Sequence, residues 1–157
     1  MEKRFDPRDP HVTIDSDEMR QAVRNLIGNG LEVMPKSGTL RLGTELIDEN
    51  WVRVDISDSG PGIPPDVLDK IFTAFFTTKA RGTGLGLAVV RKVVDRHRGR
   101  VEVDTAPGKG ATFKLFLPIA GPGGSAAQIA PGRAQPSSAP PATAPPASGG
   151  PPKTAIR

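Results

Sequence analysis

Residues 71–87 read IFTAFFTTKARGTGLGL and contain the most distinctive glycine pattern of the chain. Three glycines at alternate positions, Gly82, Gly84 and Gly86, follow an aromatic and polar loop, and a segment with helical periodicity begins at about Leu87. A glycine-rich loop that leads into a helix exposes backbone N–H groups beside the positive end of the helix dipole, and both attract anions. We therefore predict that this stretch binds phosphate groups.

The spacing of the glycines differs from two common nucleotide-binding motifs. The third glycine comes one residue early for the dinucleotide pattern G-x-G-x-x-G, and a polar loop rather than a strand precedes it. A P-loop is also excluded, because Lys109 is followed by Gly110 rather than by Ser or Thr. Taken alone, the three glycines could instead form a flexible hinge.

A long helix, three strands and a short helix are predicted upstream of this stretch. Asp15, with Glu18 three positions later, is typical of a capping box, and apolar residues at helical spacing continue to about Met34. Alternating apolar and polar residues, or short β-branched runs, predict the strands. The strands are expected at residues 12–14, 39–42 and 51–57, and the short helix at residues 64–71.

Downstream, a helix is predicted from about Leu87 to Arg96, followed by a hairpin of residues 101–104 and 112–117. This order of elements predicts an α+β two-layer sandwich, with a mixed, mostly antiparallel sheet packed on about three helices.

Two asparagines on the first long helix are candidate metal ligands. Asn25 and Asn29 lie one helical turn apart, so both amides project from the same stripe. Amide oxygens suit Mg²⁺, a hard cation that also binds phosphate oxygens. Solvated amides without a ligand are the alternative.

A carboxylate at the end of a strand is a candidate ligand for a base. Asp58 follows residues 51–57 with the parity of the inward-facing residues, so its side chain is expected at the edge of the core. Gly60 and Gly62 allow a close backbone approach, and the carboxylate could accept the exocyclic amine of an adenine. A turn-initiating Asp is the alternative.

Five motifs that stand in order over residues 12–118 resemble the N, G1, F, G2 and G3 boxes of the histidine-kinase ATP-binding domain. They are Asn25-x-x-x-Asn29, Asp58-x-Gly60-x-Gly62, residues 71–79, Gly82-x-Gly84-x-Gly86 and Gly108-x-Gly110-Ala111-Thr112. The resemblance is closest to kinases of the nitrogen-regulation type, which share a short lid, here Ala80-Arg81. It implies the Bergerat fold of type II topoisomerases, mismatch-repair ATPases and heat-shock chaperones. Residue 30 is Gly where the family usually has Ala.

Carried over by position, the resemblance implies roles for individual residues. Asn29 would ligate Mg²⁺, and Asp58 would bind the adenine amine of ATP. The other residues expected to bind the nucleotide are Asn25, Gly60, Gly62, Lys79, Gly82, Thr83, Gly84, Leu85, Gly86, Leu87 and Thr112. Lys79 and Arg81 would meet the phosphates and, with Asn25, form the catalytic set. Phe75 and Phe76 would anchor the lid or pack in the core.

The residue at position 25 favours transfer over hydrolysis. Hydrolytic members of the superfamily carry a Glu one turn before the metal-binding Asn, where it activates water. Asn25 stands at that position here, and an amide cannot accept a proton at neutral pH. The resemblance therefore implies phosphoryl transfer to another group.

The acceptor of that transfer is expected outside this chain. Neither His11 nor His97 lies in a motif like that of a phosphoacceptor helix, and too few residues precede Asn25 for a helical hairpin. We expect an excised domain, a truncated product or a stand-alone module, with ATP, a His-bearing dimerisation domain and, indirectly, a response regulator as partners. The alternatives are an anti-sigma-type serine kinase and a non-catalytic nucleotide-sensing module. The segment FFTTK, residues 75–79, argues against the serine kinase.

Composition limits the remaining possibilities. The chain has 157 residues, and residues 121–157 hold nine of its 17 prolines and no acid, which predicts a domain over residues 1–120 and a disordered tail. No Cys is present, which excludes disulfides and thiolate sites. Basic residues form no block with aromatic residues, so nucleic-acid binding is not expected. No export segment or long apolar run is present, and we expect a cytoplasmic chain without membrane contact.

Overall fold

A computed structural model describes residues 1–79 and 82–120, which form one five-stranded sheet with helices on one face. The strands run in the spatial order β1-β2-β3-β5-β4. Their bounds are Glu2–Arg4 (β1), Leu40–Leu46 (β2), Trp51–Asp58 (β3), Arg100–Thr105 (β4) and Ala111–Pro118 (β5). Only the β1–β2 pair is parallel, so the predicted mixed, mostly antiparallel sheet is confirmed. The predicted tail and Arg81 lie outside the described residues.

The described residues contain two α-helices, α1 at Ser16–Val33 and α2 at Gly86–Arg96. The short helix predicted for residues 64–71 is instead a 3-10 turn at Leu68–Lys70. Its hydrogen bonds run between residues three apart, as from the Lys70 N–H to the Val67 carbonyl at 2.9 Å. None of these helices is both long and apolar enough to cross a membrane, as far as the described residues go.

The start of α1 is capped as the sequence predicts, with one difference. The Asp15 carboxylate accepts hydrogen bonds from the N–H groups of Asp17 and Glu18, both at 3.0 Å. Glu18 does not complete the capping box, because the Asp15 N–H donates to Nε2 of His97 at 2.9 Å. This bond requires an unprotonated Nε2, so the buried His97 donates its Nδ1 proton to the Val93 carbonyl at 2.8 Å. His97 thus joins the end of α2 to the start of α1.

The strand predicted for residues 12–14 is wrong. Residues 11–15 form no regular structure, and the apolar side chains of Val12 and Ile14 instead pack against the core. The first strand is β1, whose residues are all exposed and therefore show no apolar alternation. Pairing with β2 holds it in place, with Glu2 opposite Arg41 and ion-paired to it.

The core lies between the sheet and the two helices. Helix residues Leu26, Val90 and Val94 are almost completely buried, as are Ile56 and Leu115 from the two central strands. These side chains fix both helices on one face of the sheet. A cleft lies between the end of β3 and the two helices.

Candidate functional site

The cleft has a volume of about 390 Å³ and is bounded by α1, the end of β3, residues 62–79, the start of α2 and β5. A cleft of this size holds a ligand as large as a nucleotide. Its wall is mixed in chemistry. Asp58, at the end of β3, contacts Gly60, whereas Asn29 contacts Lys79 and lies near Gly86 at the start of α2. We call these two parts of the cleft the Asp58 end and the Asn29 end; the apolar side chains of the wall include Ile63, Ile71 and Phe113.

At the Asp58 end, one carboxylate oxygen is fixed by the backbone. Asp58 Oδ1 accepts the Gly60 N–H at 2.8 Å, while Oδ2 accepts no hydrogen bond from any residue in the described part of the chain. A half-buried carboxylate oxygen without a partner is an acceptor available to a ligand. This end of the cleft can therefore accept a hydrogen bond from a ligand group that lies against the apolar wall.

Gly62, in the wall of the cleft, packs closely on the turn before β5. Its φ is +75°, and a Cβ added there would lie 2.2 Å from the Ala106 carbonyl oxygen. Only glycine fits both the backbone conformation and the close approach.

At the Asn29 end, a cation already contacts the amide oxygen. Lys79 Nζ donates a hydrogen bond to Asn29 Oδ1 at 3.1 Å and forms an ion pair with Glu32, one turn further along α1. The oxygen of Asn29 therefore faces a position that a positively charged group occupies in this structure. Among the described residues no group of three or more His, Cys, Asp or Glu side chains could hold a metal. The donor set at this end is an amide oxygen, which suits Mg²⁺ when the ligand supplies phosphate oxygens.

The start of α2 borders the same end of the cleft. Its N-cap residue, Leu85, makes no side-chain capping bond and is 39% exposed, and no acid lies in the first turn. The first N–H groups of the helix are therefore open to an external acceptor. Gly84, at φ +67°, leads into this turn, and a Cβ there would lie 2.4 Å from the Phe75 carbonyl carbon. The start of α2 therefore offers the open backbone N–H groups that the predicted anion cradle requires.

The two phenylalanines of the loop have different surroundings. Phe76 packs against the core and lines the cleft. Phe75 is 76% exposed and has a φ of +67°, which is unfavourable for a bulky residue. Its N–H donates to the Gly84 carbonyl at 2.9 Å, a bond that helps to hold the loop against the glycines. Of the two phenylalanines, only Phe76 packs against the core, and the Phe75 side chain is exposed.

Most of the predicted site residues lie in the wall of the cleft. These are Asn29, Asp58, Gly62, Lys79, Gly82, Thr83, Gly84 and Leu87. Those described but outside the wall are Asn25, Gly60, Leu85, Gly86 and Thr112. Arg81 is not among the described residues.

Asn25 lies behind the cleft, between the two helices. Its Nδ2 donates to the Gly86 carbonyl at 3.2 Å, so the side chain ties α1 to the first turn of α2. Gly86 is next to both asparagines, since a Cβ there would be 3.8 Å from Asn29 Nδ2 and 3.9 Å from Asn25 Cβ. Asn25 therefore ties α1 to the start of α2 and is not among the residues that line the cleft.

The side chain of Thr112 is on the wrong face of the sheet for its expected role. Its hydroxyl is 2.6 Å from that of Ser57, on the side away from the helices. In the β3–β5 register Asp58 is opposite Ala111 and Ile56 is opposite Phe113. Ala111 and Phe113 therefore form the cleft wall. The sequence of β5 predicts that alternate side chains share one face of the sheet. Only the pairing with β3 shows which of the two sets faces the helices.

Comparisons with known proteins place this geometry in context. Residues 14–121 match the family described as "Histidine kinase-, DNA gyrase B-, and HSP90-like ATPase". Sensor histidine kinase ZraS of Escherichia coli (strain K12) is 43% identical over 110 residues, which cover 70% of this chain and 23% of ZraS. Sensory histidine kinase/phosphatase NtrB of Vibrio alginolyticus is 32% identical over 130 residues, covering 76% of this chain and 37% of NtrB. The chain thus spans well under half the length of these curated relatives.

Solved structures show the same similarity. The catalytic domain of histidine kinase ThkA superposes with a TM-score of 0.68 at 33% identity, covering 76% of this chain and 79% of that domain. Full-length ShkA in complex with AMPPNP gives a TM-score of 0.64 at 34% identity, covering 76% of this chain and 26% of ShkA.

Proposed function

The chain belongs to the family of histidine kinase-, DNA gyrase B- and HSP90-like ATPases, with a catalytic domain of the sensor histidine kinase type. From this we propose that it binds Mg²⁺-ATP and transfers the γ-phosphoryl group to a histidine on a separate domain or chain.

The proposal rests on the difference in chemistry between the two ends of the cleft. At the Asp58 end, Oδ2 of Asp58 has no hydrogen-bond partner among the described residues, and the Asn29 oxygen and the uncapped start of α2 lie at the Asn29 end. This order matches adenine at one end and polyphosphate at the other. The AMPPNP complex of ShkA, a structural neighbour, supports a nucleotide of this kind.

Each residue then has a role in positioning the nucleotide. Asp58 accepts the adenine amine, and Gly62 forms part of the wall beside the ring. Gly84 and the first N–H groups of α2 donate to phosphate oxygens, while Asn25 holds that turn through Gly86. Asn29 would hold Mg²⁺, which neutralises charge on the phosphates when it is bound.

The cleft favours transfer over hydrolysis. The acids in its described wall are Asp58, at the adenine end, and Glu32, which is ion-paired with Lys79. The position at which hydrolytic relatives carry the Glu that activates water is occupied by Asn25, whose amide cannot accept a proton. The attacking nucleophile therefore comes from the acceptor.

The two histidines of this chain do not serve as that acceptor. Both ring nitrogens of the buried His97 are engaged in hydrogen bonds, and His11 lies in an irregular segment. We propose that the acceptor is a histidine on a helical dimerisation domain and that a response regulator receives the phosphoryl group from it.

Incubation with γ-labelled ATP, Mg²⁺ and a separately produced helical-hairpin domain from a sensor kinase tests this function. Acid-labile label on the hairpin histidine is the expected result. Label on serine would support the serine-kinase alternative, and nucleotide binding without transfer to any hairpin tested would support a sensing module. A hairpin with its histidine replaced by Gln serves as the control.

A further inference from the structure

The ammonium group of Lys79 lies between two side chains of α1. It donates to Asn29 Oδ1 at 3.1 Å and pairs with the Glu32 carboxylate. Glu32 and Lys79 are 47 residues apart in sequence, so this contact ties the end of the 71–79 segment to the helix. We call these three residues, Glu32, Asn29 and Lys79, the latch.

The latch uses the oxygen that the proposed function assigns to the metal. Lys79 is the only cation among the described residues that line the cleft. An ammonium group and a divalent ion bound to one amide oxygen would repel each other strongly, because both are positive and close together. Lys79 therefore has to leave Asn29 when a metal-bound nucleotide enters.

Glu32 determines how firmly Lys79 is held in place. Without the carboxylate, the ammonium would keep only a hydrogen bond to a neutral amide, which is weaker than one between two charged groups. The pair is also accessible to water, with 65% of the Glu32 side chain and 33% of the Lys79 side chain exposed. An exposed ion pair stabilises its arrangement modestly, so the latch can be displaced by a ligand.

We propose that Glu32 determines the affinity of the site for metal-bound nucleotide, by holding Lys79 on Asn29 in competition with the metal. The inference rests on the proposed function, because it takes the Asn29 oxygen as the metal ligand. Nucleotide without metal can enter while Lys79 stays on Asn29. The competition therefore affects binding in the presence of Mg²⁺ and not in its absence.

Calorimetric titration of AMPPNP into the full chain, with Mg²⁺ or with EDTA, tests this competition. We expect Glu32→Gln to tighten binding in Mg²⁺ by about two- to fivefold, the effect of losing an exposed ion pair, and to leave binding in EDTA unchanged. Glu18→Gln is the matched control, since it removes an ion pair with Arg96 elsewhere on α1 and changes the net charge equally. It should leave both affinities unchanged.

A double variant separates the latch from a general charge effect. In a Lys79→Met background, Glu32→Gln should no longer tighten binding in Mg²⁺. Weaker or unchanged binding by Glu32→Gln in Mg²⁺, equal tightening in EDTA, or a gain that persists without Lys79 would overturn the inference. If the unaltered chain binds no AMPPNP under either condition, the proposed function itself fails, and the inference with it.

Discussion

Gly110 packs so closely on Asp58 that a Cβ at position 110 would lie 1.9 Å from the Asp58 carbonyl oxygen. The turn before β5 thus supports the end of β3 at the point where the cleft begins. This contact links the last glycine motif of the chain to the carboxylate proposed to bind adenine.

Gly110→Ala should therefore destabilise the domain strongly. The φ of Gly110 is +77°, and the added methyl group would also overlap the Asp58 backbone. We expect a loss of at least about 3 kcal/mol in the free energy of unfolding, measured by urea denaturation. Gly108→Ala is a matched control, because Gly108 has a φ of +74° but its Cβ would meet no other described atom within 4 Å. It should cost only about 1–2 kcal/mol, and equal losses for the two variants would contradict the packing argument.

Gly28→Ala should stabilise α1. No other described atom lies within 4 Å of a Cβ added at position 28, so the substitution gains helix propensity without a clash. The expected gain is about 0.5–1 kcal/mol in the free energy of unfolding. Gly30→Ala should gain less, because its Cβ would lie 3.1 Å from Leu40 Cδ1 and 3.2 Å from Asp58 Cβ. Thermal unfolding of both variants measures the difference, and a larger gain at position 30 would show that this contact is not restrictive.

Asn29→Asp should disturb the binding of metal-bound nucleotide while the fold is retained. The side chain is half-buried and its amide oxygen contacts only the Lys79 ammonium among the described residues, so the core does not depend on it. A second negative charge beside Glu32 would hold Lys79 more firmly and repel phosphate groups. We expect at least about a tenfold loss of AMPPNP affinity in Mg²⁺, with an unchanged melting temperature. A Mg²⁺ titration curve identical to that of the unaltered chain would remove Asn29 from the metal site.

The cap of α1 should make stability sensitive to acid. Hydrogen bonds from the Glu18 and Asp17 N–H groups hold the pKa of Asp15 below its usual range. A carboxylate with a lowered pKa in the folded state stabilises the fold above its unfolded pKa, and this contribution is lost as the pH falls through the folded value. Asp15→Asn keeps an acceptor at the cap but does not titrate. Melting temperatures measured from pH 6 down to about pH 2.5 should therefore fall less steeply for Asp15→Asn than for the unaltered chain, and parallel curves would argue against this role.

The sequence predicts local features of this fold well where the periodicity is strong. The α1 cap at Asp15, the strand that ends at Asp58 and the start of α2 after the glycines all lie within a few residues of their predicted positions. These features depend on residues close together in sequence, such as an N-cap and its first turn.

Features that depend on pairing between distant segments could not be predicted in the same way. The charged strand β1 forms only through its pairing with β2, and Thr112 faces outward because of a register between β3 and β5. The ties from Asn25 to Gly86 and from Lys79 to Glu32 join residues 61 and 47 positions apart. Such contacts cannot be predicted from the spacing of residues that are close together in sequence.

The binding of adenine by Asp58 is tested most directly by calorimetric titration of AMPPNP, in the presence of Mg²⁺, into the unaltered chain and into Asp58→Asn. The Asn amide would direct a donor at the adenine amine in place of an acceptor. Asp55→Asn, on the outward face of the same strand where Asp55 pairs with Arg53, is the control. We expect binding to the unaltered chain and to Asp55→Asn, and a loss of about 100-fold or more for Asp58→Asn. Equal affinities for all three proteins would show that Asp58 does not bind the adenine amine.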